Sequence, residues 1–185
     1  MSLLEWIAAL LGLANVGLLV RRSVWNYPFG LAMVALYAVI FWQARLYGEA
    51  GLQLFFFAAQ LWGWLLWVKA GGADSPVPVR WLDRRSRAVW LLGIAALSVN
   101  LGWILDRFTN AAAPFVDGPI TVASIAAQIL LAYRRVENWV LWIVIDLASI
   151  ALYLWRGLYP TAGLYVAFLG LSVAGLQQWR KAARA

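Results

Sequence analysis

Seven mostly apolar stretches follow one another along this chain, with brief polar connections between them. They are Leu3–Val20, Tyr27–Ala44, Gly51–Val68, Ala88–Leu105, Gly118–Tyr133, Trp139–Trp155 and Thr161–Leu176. Crossing a bilayer takes about 17–25 such residues. The fifth and seventh stretches are short and draw on flanking residues. The connections carry the breakers, at Arg21–Asn26, Arg45–Ala50, Val136–Asn138 and Gly157–Pro160. The longest, Lys69–Arg87, holds Gly71, Gly72, Pro76 and Pro78 and reads as a polar loop too short for a domain. The expected fold is all-α, a single polytopic membrane domain over residues 1–185.

Composition agrees. Apolar residues make up 64% of the chain and charged residues 12%, against about 45–50% and about 25% in soluble domains. A disordered chain is excluded and a soluble globular one is disfavoured. The chain has no Cys and no His. It therefore lacks a thiolate nucleophile, a disulfide framework, the commonest general base and the commonest transition-metal ligand. No cofactor or metal site is expected. Thirteen Trp suit membrane interfaces and pockets for planar ligands.

The net charge of +7 is a matter of position. Alternate connections hold Arg21, Arg22, Lys69, Arg80, Arg84, Arg85, Arg87, Arg134, Arg135, Arg180, Lys181 and Arg184, twelve of the fifteen cations. The other set holds Arg45, Arg107 and Arg156. That asymmetry places the basic connections in the cytoplasm. The N-terminus then lies outside and the C-terminus inside, which requires an odd number of spans. No aromatic–basic motif points to nucleic acid. The first stretch lacks the positive leader of a cleaved signal peptide, its arginines following the apolar run.

A shift of 112 residues aligns the chain with itself without gaps. Arg22, Val24 and Asn26 meet Arg134, Val136 and Asn138. Leu46, Tyr47, Ala50, Gly51 and Leu52 meet Leu158, Tyr159, Ala162, Gly163 and Leu164. Phe56, Gly63 and Trp67 meet Phe168, Gly175 and Trp179, giving 11 identities in the 46 positions 22–67, where chance gives about four. Glu5 also meets Asp117. Two three-span repeats, residues 3–68 and 118–178, thus flank a linker span at 88–105. One intervening span gives both repeats the same orientation, a symmetry seen in carriers whose substrate sites lie near the midplane between the repeats.

Polar residues inside spans are costly and are usually turned from lipid. Asp146 is the ionisable residue well inside a span. Trp139, Trp142, Asp146 and Ser149 fall at i, i+3, i+7 and i+10, on one helical face. Two Trp above a carboxylate suit a flat, cationic ring with a polar group. The alternative for Asp146 is an interhelical hydrogen bond that fixes packing. Gln53, Gln60, Trp64 and Trp67 form a similar stripe on the third span, and Thr121, Ser124 and Gln128 on the fifth. Gln60 and Gln128 are pocket-lining amides or interhelical glue. Tyr37 is the repeat mate of Ser149 and is expected to face the same central space. Asn15 and Asn100 read as packing. Tyr47, Tyr159, Trp6, Trp42, Trp103 and Trp155 read as interfacial belt. Pro28 is an N-terminal helix proline that with Gly30 offers a gating point, and Pro160 precedes the last span in the same way.

The run V-E-N-W-V-L-W-I-V-I-D at Val136–Asp146 resembles the PnuC family of bacterial vitamin transporters. The family's W-x-x-W is matched by Trp139 and Trp142. Similar too are Gln128, the R-R-x-E-N lead at Arg134–Asn138, and N-Y-P-x-G at Asn26–Gly30. A looser match is Gly63 with Trp64 or Trp67. The resemblance covers roughly residues 5–180. It implies a three-plus-one-plus-three, SWEET-like fold and facilitated diffusion of nicotinamide riboside, thiamine or riboflavin. A cytosolic kinase then traps the vitamin. By motif position it implies substrate contact for Trp139, Trp142 and Gln128, and less directly for Asp146 and Gln60. It also allows a homotrimer in the bacterial inner membrane. Nicotinamide riboside is the default substrate.

Competing readings are a sugar carrier of the same fold, a membrane enzyme and a structural subunit. The density of Trp around Asp146 disfavours sugar. Without His, Cys or a close carboxylate pair in the spans, the catalytic inventory is thin. There is no phosphate-loop motif, so ATP hydrolysis is not expected.

Overall fold

In the computed structural model, residues 3–43, 47–71, 74–109, 113–155, 157 and 159–184 are described. They form seven helices: α1 (Leu3–Val20), α2 (Asn26–Gln43), α3 (Tyr47–Lys69), α4 (Arg84–Phe108), α5 (Pro114–Ala132), α6 (Glu137–Trp155) and α7 (Tyr159–Ala182). Each predicted span lies on one of them. Ala44, Arg45, Leu46, Gly72, Arg156 and Leu158 fall outside the described residues, as do the side chains of Tyr47, Ala50 and Pro160. Helices are the form in which an apolar run satisfies its own backbone hydrogen bonds in lipid. By length and apolarity alone α1, α4, α5, α6 and Gly51–Lys69 of α3 can cross a membrane, and α2 is apolar over Asn26–Ile40. The last turns of α7 carry Gln177, Gln178, Arg180 and Lys181, so its membership of the bundle follows from packing.

Six helices close a ring, through the contacts α1·α2, α2·α3, α3·α5, α5·α6, α6·α7 and α7·α1. Helix α4 stands outside and packs on α5. Its outer face, including Val89, Leu91, Leu92, Leu97 and Val99, is exposed and apolar, as a lipid-facing surface requires. Trp6, Trp42, Trp103, Trp155 and Tyr159 are also exposed, all toward the end of the bundle opposite the arginine turns. That is where an aromatic belt belongs.

The 112-residue offset reappears as geometry. It carries α1, α2 and α3 onto α5, α6 and α7 to within a residue at each end. Arg22 and Arg134 both have φ 58°, the left-handed conformation that commonly closes a helix. Arg22 N donates to Leu19 O at 2.9 Å and Arg134 N to Leu131 O at 2.8 Å. Ser23 N reaches Leu18 O, and Arg135 N reaches Leu130 O. The side-chain amides of Asn26 and Asn138 each donate to the carbonyl three residues back. The same turn is therefore built twice.

The connection between α3 and α4 differs from the solvated loop expected from its composition. It runs as a strap across both arginine turns. Val77 N donates to Arg22 O, and Arg22 Nη1 returns a bond to Val77 O at 3.2 Å. Farther on, Arg80 N donates to Arg134 O and Val136 N to Arg80 O, both at 3.1 Å. Leu82 N donates to the Glu137 carboxylate, which also pairs with Arg87 Nε at 2.8 Å. Val77 and Val79 are buried in the main apolar cluster. Asp83 then caps α4, its carboxylate accepting from Ser86 N at 2.7 Å. That bond holds the Asp83 carboxyl below its ordinary pKa.

Candidate functional site

At the arginine-turn end, four aromatic side chains fill the ring. Tyr27, Trp67, Trp139 and Trp179 are each no more than 1% exposed. Trp67 stands edge-on to Tyr27 at 5.4 Å, Trp139 edge-on to Trp179 at 5.6 Å, and Trp67 and Trp179 meet at 6.0 Å. The set is self-matching at the 112-residue offset: Trp67 Nε1 donates to Leu131 O at 3.3 Å, and Trp179 Nε1 donates to Leu19 O at 3.1 Å. Each bond crosses from one repeat to the other and satisfies a carbonyl in the last turn of a helix. Room for Tyr27 and Trp139 comes from Gly63 and Gly175. A Cβ at Gly63 would lie 2.7 Å from Tyr27 Oη, and one at Gly175 would lie 2.5 Å from the Trp139 ring. Trp139 Nε1 and Tyr27 Oη are buried without a hydrogen-bond partner among the described residues.

One helical turn deeper the two repeats differ. Trp142 on α6 is half-buried against the aromatic cluster. Its counterpart on α2 is Gly30, and a Cβ there would collide with the amides of Gln60 and Asn15. Asn15 Nδ2 donates to Asn26 O at 2.7 Å, so this amide is already fixed. Gln60 and Gln128 are both buried, and Trp64 stacks nearly parallel to Tyr27 at 6.4 Å. The first repeat thus presents two amides where the second presents an indole.

The middle of the ring holds Asp146, 4% exposed, and Ser172 Oγ donates to its Oδ2 at 2.9 Å. Ser149 is buried one turn farther along α6. Toward the other end lie Tyr37, Tyr153 and Tyr165. The rings of Tyr153 and Tyr165 are 5.1 Å apart, and Phe168 meets Tyr165 edge-on at 5.8 Å.

The predicted site residues therefore distribute over three levels. Trp139 and Trp64 are tied to the aromatic cluster, Trp142, Gln60 and Gln128 occupy the next level, and Asp146, Ser149 and Tyr37 follow. Thr121 and Ser124 bond back to the carbonyls four residues earlier, which satisfies their hydroxyls within α5. Asn100 does the same on exposed α4. Ser172 and Asn15 were not apparent as site residues from the sequence. Ser172 could have been found as the 112-residue mate of Gln60. Among the described residues no group of three or more acidic residues could hold a metal ion. The arrangement offers stacking, hydrogen bonding and one carboxylate, a means of binding a ring with polar appendages.

The family described as Nicotinamide mononucleotide transporter matches residues 2–181. The Nicotinamide riboside transporter PnuC of Escherichia coli is 29% identical, over all of this chain and 87% of its own length. A protein of the same name from Neisseria mucosa is 33% identical, over 97% of this chain and 73% of its own. The Riboflavin/roseoflavin transporter RibM of Streptomyces davaonensis is 27% identical over 95% of this chain and 83% of its own. The crystal structure of the Vitamin B3 transporter PnuC superposes with a TM-score of 0.82 at 30% identity, covering 98% of this chain and 82% of that one.

Proposed function

We propose that this chain, which belongs to the nicotinamide mononucleotide transporter family that includes PnuC, carries nicotinamide riboside across the bacterial inner membrane by facilitated diffusion. It is a multi-pass membrane protein of a transporter family. The arginine turns face the cytoplasm in this reading, with the N-terminus outside. A cytosolic kinase phosphorylates the arriving nucleoside and so keeps it in the cell. The chain itself performs no reaction.

The observation that carries the reading is the unequal middle of the ring. The second repeat has an indole, Trp142, where the first has Gly30 packed under the amides of Asn15 and Gln60, and Asp146 lies one turn along α6 from Trp142. Stacking suits the pyridine ring, and the amides and carboxylate suit the carboxamide and ribose hydroxyls. Gln128, Ser149, Tyr37 and Trp64 complete the proposed lining, and Trp139 bounds it at the cytoplasmic side. Transport follows from rocking of residues 3–68 against 118–178 along the α1·α7 and α3·α5 seams. The exposed apolar face of α4 leaves room for lipid or for a second and third copy in a homotrimer.

Calorimetric titration of detergent-purified protein with nicotinamide riboside, thiamine and riboflavin tests the reading. Micromolar or tighter binding of nicotinamide riboside is expected. Preference for riboflavin would transfer the assignment to the second reading, which the similarity to RibM favours. No binding of any of the three by folded protein overturns the vitamin assignment.

A further inference from the structure

The repeat supplies an internal control for Asp146. Its mate in the first repeat is Val34, which is 2% exposed. An apolar side chain therefore fills the equivalent place in an equivalent helix, so the architecture does not call for a carboxylate there. A buried charge at membrane depth is expensive unless it is paired or used. Glu137, at the start of α6, is paired with Arg87 at 2.8 Å. Asp146 instead receives a hydrogen bond from Ser172. The mate of Ser172 is Gln60, so both third helices turn a polar residue inward at this depth, but only Ser172 is matched with an acid. A hydroxyl held on Oδ2 at 2.9 Å fixes the plane of the carboxylate.

We propose that Asp146, with Ser172 as its positioning residue, makes this site select an aromatic ligand that carries a positive charge. The proposal rests on the nicotinamide riboside reading and deepens it. Nicotinamide riboside is a pyridinium cation. Riboflavin is neutral. The carboxylate supplies the counter-charge that the stacking surface of Trp142 lacks, and it does so where low dielectric strengthens the attraction. Ser172 does not touch the ligand. It lowers the rotational freedom of the Asp146 side chain and so preserves the direction of the acceptor.

The direct probe is a pair of ligands that differ in charge and little in shape: nicotinamide riboside and its reduced, uncharged dihydro form. The readout is the ratio of their dissociation constants. Native protein is expected to prefer the cation by about tenfold or more. Asp146→Asn should lower the ratio severalfold, leaving the preference that the indole itself has for a cation, and Asp146→Val, which installs the first repeat's own residue, should do the same with packing maintained. Ser172→Ala should reduce the ratio by about threefold, and Ser172→Thr, which keeps the hydroxyl, should restore it. Packing alone would shift both ligands equally. A full preference for the cation in either Asp146 variant overturns the charge assignment, and an unchanged ratio in Ser172→Ala overturns the role of Ser172. Native protein that binds neither form overturns the substrate reading itself, a separate result.

Discussion

The arginine-turn end of the ring and its middle are built from the same two repeats, yet the end repeats its side chains and bonds while the middle largely does not. Tyr27 and Trp139, Trp67 and Trp179, Arg22 and Arg134, Asn26 and Asn138, and Gly63 and Gly175 occupy matching places with matching bonds. Deeper in the ring, Gly30 is matched with Trp142, Asn15 with Ala127, Val34 with Asp146 and Gln60 with Ser172 at the same offset. The difference separates two demands. Closing a ring from two like halves is a packing problem with one solution, and it is used twice. Holding an asymmetric small molecule requires the halves to differ.

The largest effect should come from the duplicated end. Gly175→Ala places a methyl group against the Trp139 ring, which Trp179 holds edge-on. We expect a loss of about 3 kcal/mol, typical of severe overpacking, seen as a lowered melting temperature in detergent. Gly63→Ala should follow with a smaller loss, since its contact is the Tyr27 hydroxyl tip. Tolerance of both changes would end the claim that these contacts fix the fold.

Next come Trp67→Phe and Trp179→Phe. Each removes one buried indole–carbonyl bond between the repeats, for about 1–3 kcal/mol. Equal losses are expected because the environments match. Melting temperatures that diverge widely would show that the duplication is one of shape and not of energy. The middle should respond oppositely. Trp142→Ala is expected to weaken nicotinamide riboside binding by about 1–3 kcal/mol while moving the melting temperature less than Trp179→Phe does. Unchanged affinity in folded protein would remove Trp142 from the site.

The smallest effect belongs outside both regions, at Asp83. Its carboxyl lies below the ordinary value because it accepts from Ser86 N. A depressed folded pKa contributes stability above the unfolded value and loses it as pH falls through the folded one. Asp83→Ala should lower the melting temperature slightly at neutral pH, and the gap should close in acid. A gap that persists in acid would assign the effect to something other than the cap.

Much of this was legible in the chain. Seven apolar runs, two of them just short of spanning length, called for helices, because lipid offers the backbone no other partner. The arginine asymmetry and the 112-residue self-match follow from residue order alone. Asp146, Trp142, Gln60 and Gln128 stood out because polar or bulky aromatic groups at depth need a reason. Less was visible at Lys69–Arg87, whose prolines and glycines suggest a solvated loop. In the fold residues 77–82 strap both arginine turns, since Val77 and Val79 are apolar enough to bury and the backbone finds partners 54 to 56 residues away.

What the sequence determined by itself is therefore local or periodic: helix, span, orientation signal, repeat. Tertiary structure alone decided which of Trp139 and Trp142 sits in the buried aromatic cluster and which borders the middle. Helical spacing puts Trp139 and Trp142 on one face, and only Gly175 on a different helix leaves space to enclose Trp139. It also decided that Asp146 meets Ser172, 26 residues away on α7. Such contacts depend on where separate helices come to lie, and that is set by the closure of the ring as a whole.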